Sequence, residues 1–386
     1  MHELQVTLDE YREATRTICS KFPPEYWRET DLNRRYPQEF VDALTASGLL
    51  ASLIPTEYGG GGQGLTVGSV IMEEINHSGG HSAACHAQMY TMGALLRHGS
   101  DAQKQAYLPG IASGELRLQA FSITEDAGSD TTNILTPAVP DGDDYIITGH
   151  KTWTSRVDES DLLFLLARTS EKGADKTKGL TLFLVDLREV RANQPEAMEV
   201  VKVRTMFNYA TNQIFYKGLR VPKSAVIGQV GNGFRYVLDG WNAERILLAA
   251  EAIGDGYWFA EKATEYANSR EVFGRKIGSN QGVAFPIVDG YMKIRAADLM
   301  RYEAARLFDE GKPCGAEANM AKHLAADASF ESANACMNTY GGFGFVDEYD
   351  VERKFRETRM FQTAPVSNNL IKNFIATKVL GLPRSY

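Results

Sequence analysis

The sequence predicts a multidomain α+β protein in which a β-rich middle segment separates two helical ones. Apolar residues recur at helical spacing before about residue 117 and again after about residue 231. Between these regions lie short segments rich in β-branched and aromatic residues, separated by Gly, Asp and Pro. We therefore expect an N-terminal all-α domain over 1–116, a middle antiparallel β-barrel-like domain over 117–228 and a C-terminal four-helix bundle over 229–386.

The N-terminal region contains several helical candidates. They are FVDALTASGLLASL, which ends before Pro55 and the stretch EYGGGGQGL, then VGSVIMEEINHS, and MYTMGALLRHGS, which ends near Gly99. GGGGQG lacks the Lys-Ser/Thr of a phosphate-binding loop and follows no predicted strand, so it is interpreted as a flexible turn. No G-x-G-x-x-G motif opens a strand–turn–helix unit, which disfavours a nicotinamide-binding Rossmann domain.

The elements of the middle and C-terminal regions are also predicted from the spacing of apolar residues, with the period of a strand in the first and of a helix in the second. The predicted strands are LQAFSITE, YIITGHKTWTS, LLFLLART, LTLFLVDL, MEVVKVR and NQIFYKGLRVP. No helical pattern separates them, so they predict an antiparallel sheet or barrel rather than a doubly wound parallel sheet. The predicted bundle helices are Gly233 to about Tyr266, QGVAFPIVDGYMKIRAADLMRYEAARLFDEG, AEANMAKHLAADASFESANACMNTYGG and SNNLIKNFIATKVLGL.

Composition excludes several classes of function. The net charge of -8 argues against nucleic acid as the main partner, because phosphate binding needs clustered Lys and Arg. No apolar run approaches a membrane span, and the acidic N-terminus resembles neither a signal peptide nor a transit peptide. The four cysteines show no C-x-x-C spacing, which favours free thiols and a reducing, cytoplasmic location. His77, His81 and His86 lie close together, but no carboxylate completes a ligand set, so we predict no metal site.

One carboxylate stands in an otherwise apolar helical segment, WNAERILLAAEAIG. Ile246, Leu247, Ala249, Ala250 and Ile253 recur at helical spacing and predict a buried face. Glu244, at the start of this segment, is either a solvated helix charge or a base directed into an apolar pocket. The residues alone leave both interpretations open.

Three segments, taken together and in order, resemble the acyl-CoA dehydrogenase family. They are FSITEDAGSDTTN with HKTWTS, REVFGRKIGSNQ, and CMNTYGGFGFVDEYDVERKFRETR. The resemblance implies a helical domain, a small β-barrel-like domain and a four-helix bundle, assembled as a homotetramer. It also implies FAD between the β domain and the bundle, an acyl-CoA substrate and an electron-transfer flavoprotein as electron acceptor.

The resemblance also implies which residues contact the flavin and the thioester. Phe121, Ile123 and Thr124 would flank the flavin ring, Trp153 would lie against it, Ser155 would add a hydrogen bond, and Gly128 and Ser129 would meet cofactor or thioester. Arg270, Phe273 and Gln281 match positions that hold FAD across a subunit interface, and an arginine suits a pyrophosphate because its planar fork donates paired hydrogen bonds. Asn338, Gly341 and Gly342 match a stretch usually written Gln-x-x-Gly-Gly, and Ser367 and Asn369 stand at further FAD positions.

The resemblance implies a reaction and a base. The family removes hydrogens from Cα and Cβ of an acyl thioester, with a carboxylate taking the α-proton and flavin N5 the β-hydride. Most relatives carry this base in a loop near the C-terminus, where Pro365 stands here, and a minority carry it on the first bundle helix, where Glu244 stands. Glu244 is therefore the predicted base, with Asn242 and Arg245 bounding the thioester channel.

Several departures from the family pattern keep other functions open. Pro365 lacks the backbone N–H that relatives use to bind the thioester oxygen, so either Val366 donates through a local shift or the flavin ribityl hydroxyl acts with fewer partners. TEDAGSD is one residue shorter than the usual loop, and Asn338 replaces a glutamine. The alternatives are an oxidase or lyase-like enzyme acting on a substituted acyl-CoA, and a non-catalytic homologue that binds flavin or acyl-CoA.

Overall fold

The computed structural model describes residues 2–173, 175–207 and 210–384, and the helical N-terminal region is confirmed. Its helices are α1 (His2–Cys19), α2 (Pro24–Leu32), α3 (Gln38–Ala46), α4 (Leu65–His77), α5 (His86–His98) and α6 (Asp101–Ser113). The segment predicted as one helix, FVDALTASGLLASL, is instead α3 followed by a short 3₁₀ turn, because Gly48 between them takes a φ of 78°. At α6, the Ser100 Oγ accepts the Gln103 N–H and the Gln103 side chain accepts the Ser100 N–H, which fixes the start of the helix.

The middle region contains the six strands that the alternation predicted, together with a short strand over Ala138–Asp141 that it did not predict. They are β1 (Leu118–Ser122), β2 (Ala138–Asp141), β3 (Asp144–Ser155), β4 (Leu162–Arg168), β5 (Leu180–Asp186), β6 (Met198–Lys202) and β7 (Thr211–Pro222), with a short helix, α7 (Leu187–Asn193), before β6. They form two sheets, ordered β1-β4-β5 and β2-β3-β7-β6. The barrel-like, wholly antiparallel arrangement is corrected: among the described strands β1 pairs parallel to β4, and the sheets do not close into one barrel.

The C-terminal region is helical, as predicted, but its last predicted helix is short. It contains α8 (Gly233–Ser269), a hairpin of β8 (Glu271–Val272) and β9 (Arg275–Lys276), α9 (Gln281–Asp309), α10 (Gly315–Tyr340), α11 (Val351–Thr358) and α12 (Asn368–Phe374). The long helices α8, α9 and α10 match the predicted ones. The segment SNNLIKNFIATKVLGL gives only α12 and a following π-helical turn, Ile375–Val379.

The described chain divides into two compact units, each with its own core. Unit 1 comprises Met1–Arg34, Gln63–Ser82 and Asn242–Tyr386, and unit 2 comprises Arg35–Gly62 and Ala83–Trp241. In unit 2, β4 is buried on both faces: Leu162, Phe164 and Leu166 enter one apolar cluster, whereas Leu163, Leu165 and Ala167 enter another. This alternation explains why LLFLLAR is a continuous apolar run, since each face of the strand meets a separate core.

In unit 1, ion pairs and hydrogen bonds join the N-terminal helices to the bundle. The Asp309 carboxylate accepts the backbone N–H groups of Leu65 at 2.6 Å and Thr66 at 2.9 Å, and so caps the start of α4. Buried Arg301 pairs with buried Glu73 of α4, and Arg12 of α1 lies 2.7 Å from the same carboxylate. None of the described helices is both long and apolar enough to cross a membrane.

Candidate active site

The part of α8 around and after Glu244 is buried on nearly every side rather than on one face. Glu244 is 7% exposed, and the following residues Ile246 to Ala250 are at most 2% exposed. The predicted amphipathic segment therefore continues through the interior of unit 1, and Glu251 within it is also buried. Burial of this kind disfavours the charged form of a carboxylate and makes it a stronger base when it is ionised.

Two cations lie in the electrostatic environment of Glu244. Arg245 donates a hydrogen bond from Nη1 to Asn242 Oδ1 at 3.2 Å, and burial lowers its pKa against the opposing charge of Glu244. Lys322 of α10 is 1% exposed and donates from Nζ to the Val366 carbonyl oxygen at 2.8 Å. Burial, reinforced by Arg245 and opposed by Asp327 and Glu244, lowers the pKa of Lys322 to about 7. The predicted substrate residues Asn242 and Arg245 thus adjoin Glu244, whereas Lys322 was not predicted, because a lysine inside an alanine-rich helix carries no motif of its own.

In unit 2, the predicted flavin residues of β1 and β3 come together. The Thr152 N–H donates to the Thr124 carbonyl oxygen at 2.9 Å, and the Thr154 hydroxyl donates to the Ser122 Oγ at 3.2 Å. The alternation of β3 then leaves Trp153 60% exposed, with a φ of 61°. These contacts place Phe121, Ile123 and Thr124 beside Trp153 and Ser155 on adjoining backbone. Ser129 is not part of this arrangement, since it lies exposed in the turn that follows.

An ion pair between a fully buried lysine and a half-buried glutamate fixes this backbone, and no sequence motif predicts it. Lys151 is fully buried and donates from Nζ to the Ile123 carbonyl oxygen and to Glu125 Oε1, both at 2.9 Å. The Glu125 carboxylate also accepts the N–H groups of Leu135 at 2.8 Å and Thr136 at 3.0 Å, which closes the shortened loop TEDAGSD. Burial alone would raise the pKa of Glu125, but Lys151 and these donors hold it below its ordinary value. Burial lowers the pKa of Lys151 to about 8, against the pull of Glu125.

In unit 1, several predicted FAD residues line one open cavity of about 670 Å³ beside the β8–β9 hairpin. The predicted residues among its lining are Arg270, Phe273, Asn338, Gly341 and Gly342. The Arg270 guanidinium lies 5.9 Å from the centre of the Phe343 ring. A Cβ built on Gly342 would meet no atom of the chain within 4 Å, so nothing within the chain itself requires a glycine there.

Three predicted FAD residues of unit 1 are not among the residues lining this cavity. Gln281 is the first residue of α9 and is exposed, as is Asn369 in α12. The Ser367 Oγ accepts the Leu370 N–H at 3.4 Å, so this side chain caps α12. In the part of the chain that the structure describes, no cluster of three or more His, Cys, Asp or Glu residues could hold a metal ion.

Comparison with known proteins covers all three regions of the chain. The family models described as the N-terminal, middle and C-terminal domains of acyl-CoA dehydrogenase match residues 7–115, 120–211 and 231–380. The chain is 34% identical to acyl-CoA dehydrogenase FadE12 of Mycobacterium tuberculosis (strain ATCC 25618 / H37Rv), over 98% of both proteins. It is 31% identical to the caffeyl-CoA reductase-Etf complex subunit CarC of Acetobacterium woodii, over 95% of this chain and 97% of that protein. The solved structure of a glutaryl-coenzyme A dehydrogenase glutaryl-CoA complex has a TM-score of 0.91 and 30% identity, over 98% of this chain and 96% of that one.

Proposed function

The chain belongs to the acyl-CoA dehydrogenase family, and from this premise we propose that it converts an acyl-CoA thioester to the 2-enoyl-CoA in an FAD-dependent reaction. The observation that supports this most directly is the burial of Glu244 in an apolar helix, while Pro365 stands where most relatives carry the base. No other chemistry is needed to account for a carboxylate kept in this environment with Asn242 and Arg245 beside it.

In the proposed reaction, Glu244 takes the proton from Cα of the thioester. Its apolar neighbours exclude water, and the positive charges of Arg245 and Lys322 favour the ionised carboxylate that must accept the proton. Asn242 holds the Arg245 guanidinium through their hydrogen bond and thereby fixes one wall of the channel. Because Pro365 cannot donate a hydrogen bond, the backbone N–H nearest to it on the C-terminal side is that of Val366.

The residues present fit FAD. Arg270 supplies a guanidinium for a pyrophosphate, and the bare backbone at Gly342 admits a planar group at close range. Phe121, Ile123, Thr124, Trp153 and Ser155 would contact the flavin ring. Ser129 would meet cofactor or thioester from its exposed turn, and Gln281, Asn338, Gly341, Ser367 and Asn369 would hold the remainder of FAD. When bound, the flavin accepts the β-hydrogen of the substrate as a hydride.

The proposal includes a homotetramer and an electron-transfer flavoprotein as electron acceptor. Phe273 is 100% exposed at the edge of the cavity, and Arg270 and Gln281 are also exposed, so a second copy of the chain has an apolar and a charged surface to cover. An Etf complex is named for the CarC relative, which supports the choice of electron acceptor.

The test is anaerobic addition of acyl-CoA thioesters of different length and branching to the purified protein. Bleaching of a yellow protein is expected, and Glu244→Gln should slow this flavin reduction by about 10³-fold or more while FAD stays bound, because a general base contributes about 10²–10⁴-fold. Glu265→Gln is the matched control, since Glu265 lies in the same helix with its side chain 68% exposed. Normal reduction in Glu244→Gln would rule out this base, and colour that persists with every thioester would favour a non-redox homologue. Peroxide formation in air would favour an oxidase.

A further inference from the structure

Helix α9 carries an apolar stripe on the side that faces away from unit 1. The stripe, called the α9 stripe below, consists of Phe285, Val288, Met292, Ala296 and Leu299. Its four large members are between 50% and 69% exposed, and Ala296 is exposed as well. The opposite side of the helix is buried, through Gly290, Ile294, Ala297, Arg301 and Ala304. A contiguous exposed apolar surface of this kind marks an interaction site, whereas single exposed apolar residues do not.

The spacing of the α9 stripe is the same in both directions along the helix. Successive members are three, four, four and three residues apart, with Met292 at the centre. All five side chains therefore lie within about 40° of one line along the helix, since each residue turns it by about 100°. In an antiparallel pair of copies about a two-fold axis, Met292 meets its own twin. Phe285 then lies level with the partner's Leu299, and Val288 with the partner's Ala296, so that apolar residues meet apolar residues throughout.

The exposed polar residues that flank the α9 stripe also suit a second copy. Asp289 and Lys293 lie on one side of the stripe, whereas Tyr291 and Arg295 lie on the other. Two helices that pack antiparallel about a two-fold axis bring the same side of both copies together. Asp289 would then lie near the partner's Lys293, and Arg295 near the ring of the partner's Tyr291, which gives an opposite-charge pair and a cation–π pair. Lys293 also pairs with Glu331 of its own chain.

Other occupants suit this surface less well. A helix that lies on a membrane has a polar face rich in Lys and Arg and is attracted to anionic lipids. The α9 stripe instead has both an acid and bases at its edges, and the chain has a net charge of -8. A different protein could cover the stripe, but only a second copy makes use of a spacing that is symmetric about one residue.

We propose that the α9 stripe packs against the same stripe of a second copy of this chain, antiparallel and about a two-fold axis at Met292. This contact belongs to the proposed homotetramer and rests on that part of the proposed function, but not on the reaction. Met292 is the residue at which the contact can be tested, because a residue on a two-fold axis is the one that faces itself.

The experiment replaces Met292 by charges of either sign and measures assembly of the FAD-loaded full chain by sedimentation velocity. Met292→Lys and Met292→Glu each place two like charges against each other, so each should weaken self-association about 100-fold or more. An equimolar mixture of the two variants should recover most of the assembly, because Lys then faces Glu. Val139→Lys is the control and should assemble normally, since Val139 is exposed to the same degree but lies in β2 of unit 2.

The outcomes separate this contact from the rest of the proposed function. The contact is wrong if both Met292 variants assemble like wild type, if their mixture stays as dissociated as either variant alone, or if Val139→Lys dissociates equally. A wild-type protein that sediments as a monomer would overturn both the homotetramer and this contact. Bleaching by acyl-CoA is measured on the same samples, so a protein that assembles as expected but is never bleached would overturn the proposed reaction alone.

Discussion

The two groups of predicted FAD residues differ sharply in how the chain holds them. The flavin-ring group of unit 2 lies on and beside β1 and β3, where the ion pair of buried Lys151 with half-buried Glu125 and backbone hydrogen bonds fix it. The cavity group of unit 1 surrounds an exposed hairpin, and its most prominent member, Phe273, is 100% exposed. A single chain therefore preorganises the first group, whereas the second is exposed and, in the proposed assembly, would be covered by the cofactor and a second copy.

The largest expected effect concerns the preorganised group. Lys151→Met leaves the half-buried Glu125 carboxylate without its cation, and loss of one partner from a charged hydrogen-bonded pair costs about 1–3 kcal/mol in free energy of unfolding. Urea unfolding measures this loss. Lys217→Met is the control, because Lys217 pairs with Glu199 at the surface and such pairs contribute roughly 0–1 kcal/mol. Equal losses in free energy of unfolding in both variants would show that the Lys151–Glu125 pair stabilises the fold no more than a surface pair does.

The same variant has a predictable pH dependence. Lys151 and its fellow donors hold the pKa of Glu125 below its ordinary value in the folded protein, so their stabilisation is present above the unfolded pKa and is lost as the pH falls through the folded value. Without Lys151, the folded pKa of Glu125 rises. The stability gap between wild type and Lys151→Met should therefore shrink as the pH is lowered below about 4, the range where free carboxyls titrate. A gap that widens in acid would contradict this account.

The sequence predicts features that repeat with a regular spacing of apolar residues, but not features that depend on a contact between two distant segments. Helices and strands have periods, so α8, α9, α10, β1 and β3 to β7 could be predicted from apolar spacing alone, whereas the short strand β2 could not. The parallel pairing of β1 with β4 could not, because strand order depends on contacts between distant segments. The same limit applies to Lys151 and Lys322: each is identified by what it touches across the chain, at Ile123 and at Val366. Glu244 could be singled out from the sequence because its apolar neighbours lie within one helix, but its assignment as the base came from the family resemblance.

The next effect concerns the exposed group. Arg270→Ala should weaken FAD binding about 10- to 100-fold, since charge-assisted hydrogen bonds contribute roughly 1.5–3 kcal/mol each. The unfolding midpoint of the FAD-free chain should hardly change, because Arg270 is exposed. Titration of the apoprotein with FAD measures the affinity, with Lys262→Ala as control on the exposed surface of the same region. Unchanged FAD affinity in Arg270→Ala would contradict the proposal that the cavity group binds FAD.

The smallest effect separates local stability from function at Phe273. Val272 pairs with Arg275, so Phe273 and Gly274 form the turn of the hairpin, with φ values of 53° and 76°. A turn with positive φ at both central residues favours Asn-Gly, and a bulky aromatic residue there is strained. Phe273 is fully exposed, so its ring packs into no core of its own chain, and its backbone conformation is unfavourable for the turn.

Phe273→Asn should therefore improve the turn while it removes the exposed ring. The urea midpoint of the FAD-free chain is expected to rise slightly, by roughly a few tenths of a molar, as backbone strain is relieved. FAD affinity and the proposed tetramer, measured by sedimentation, should both weaken, because the ring would be missing from the surface that we propose a second copy covers. If the variant instead unfolds more easily and assembles normally, the ring stabilises its own hairpin and the contrast between the two groups fails at this residue.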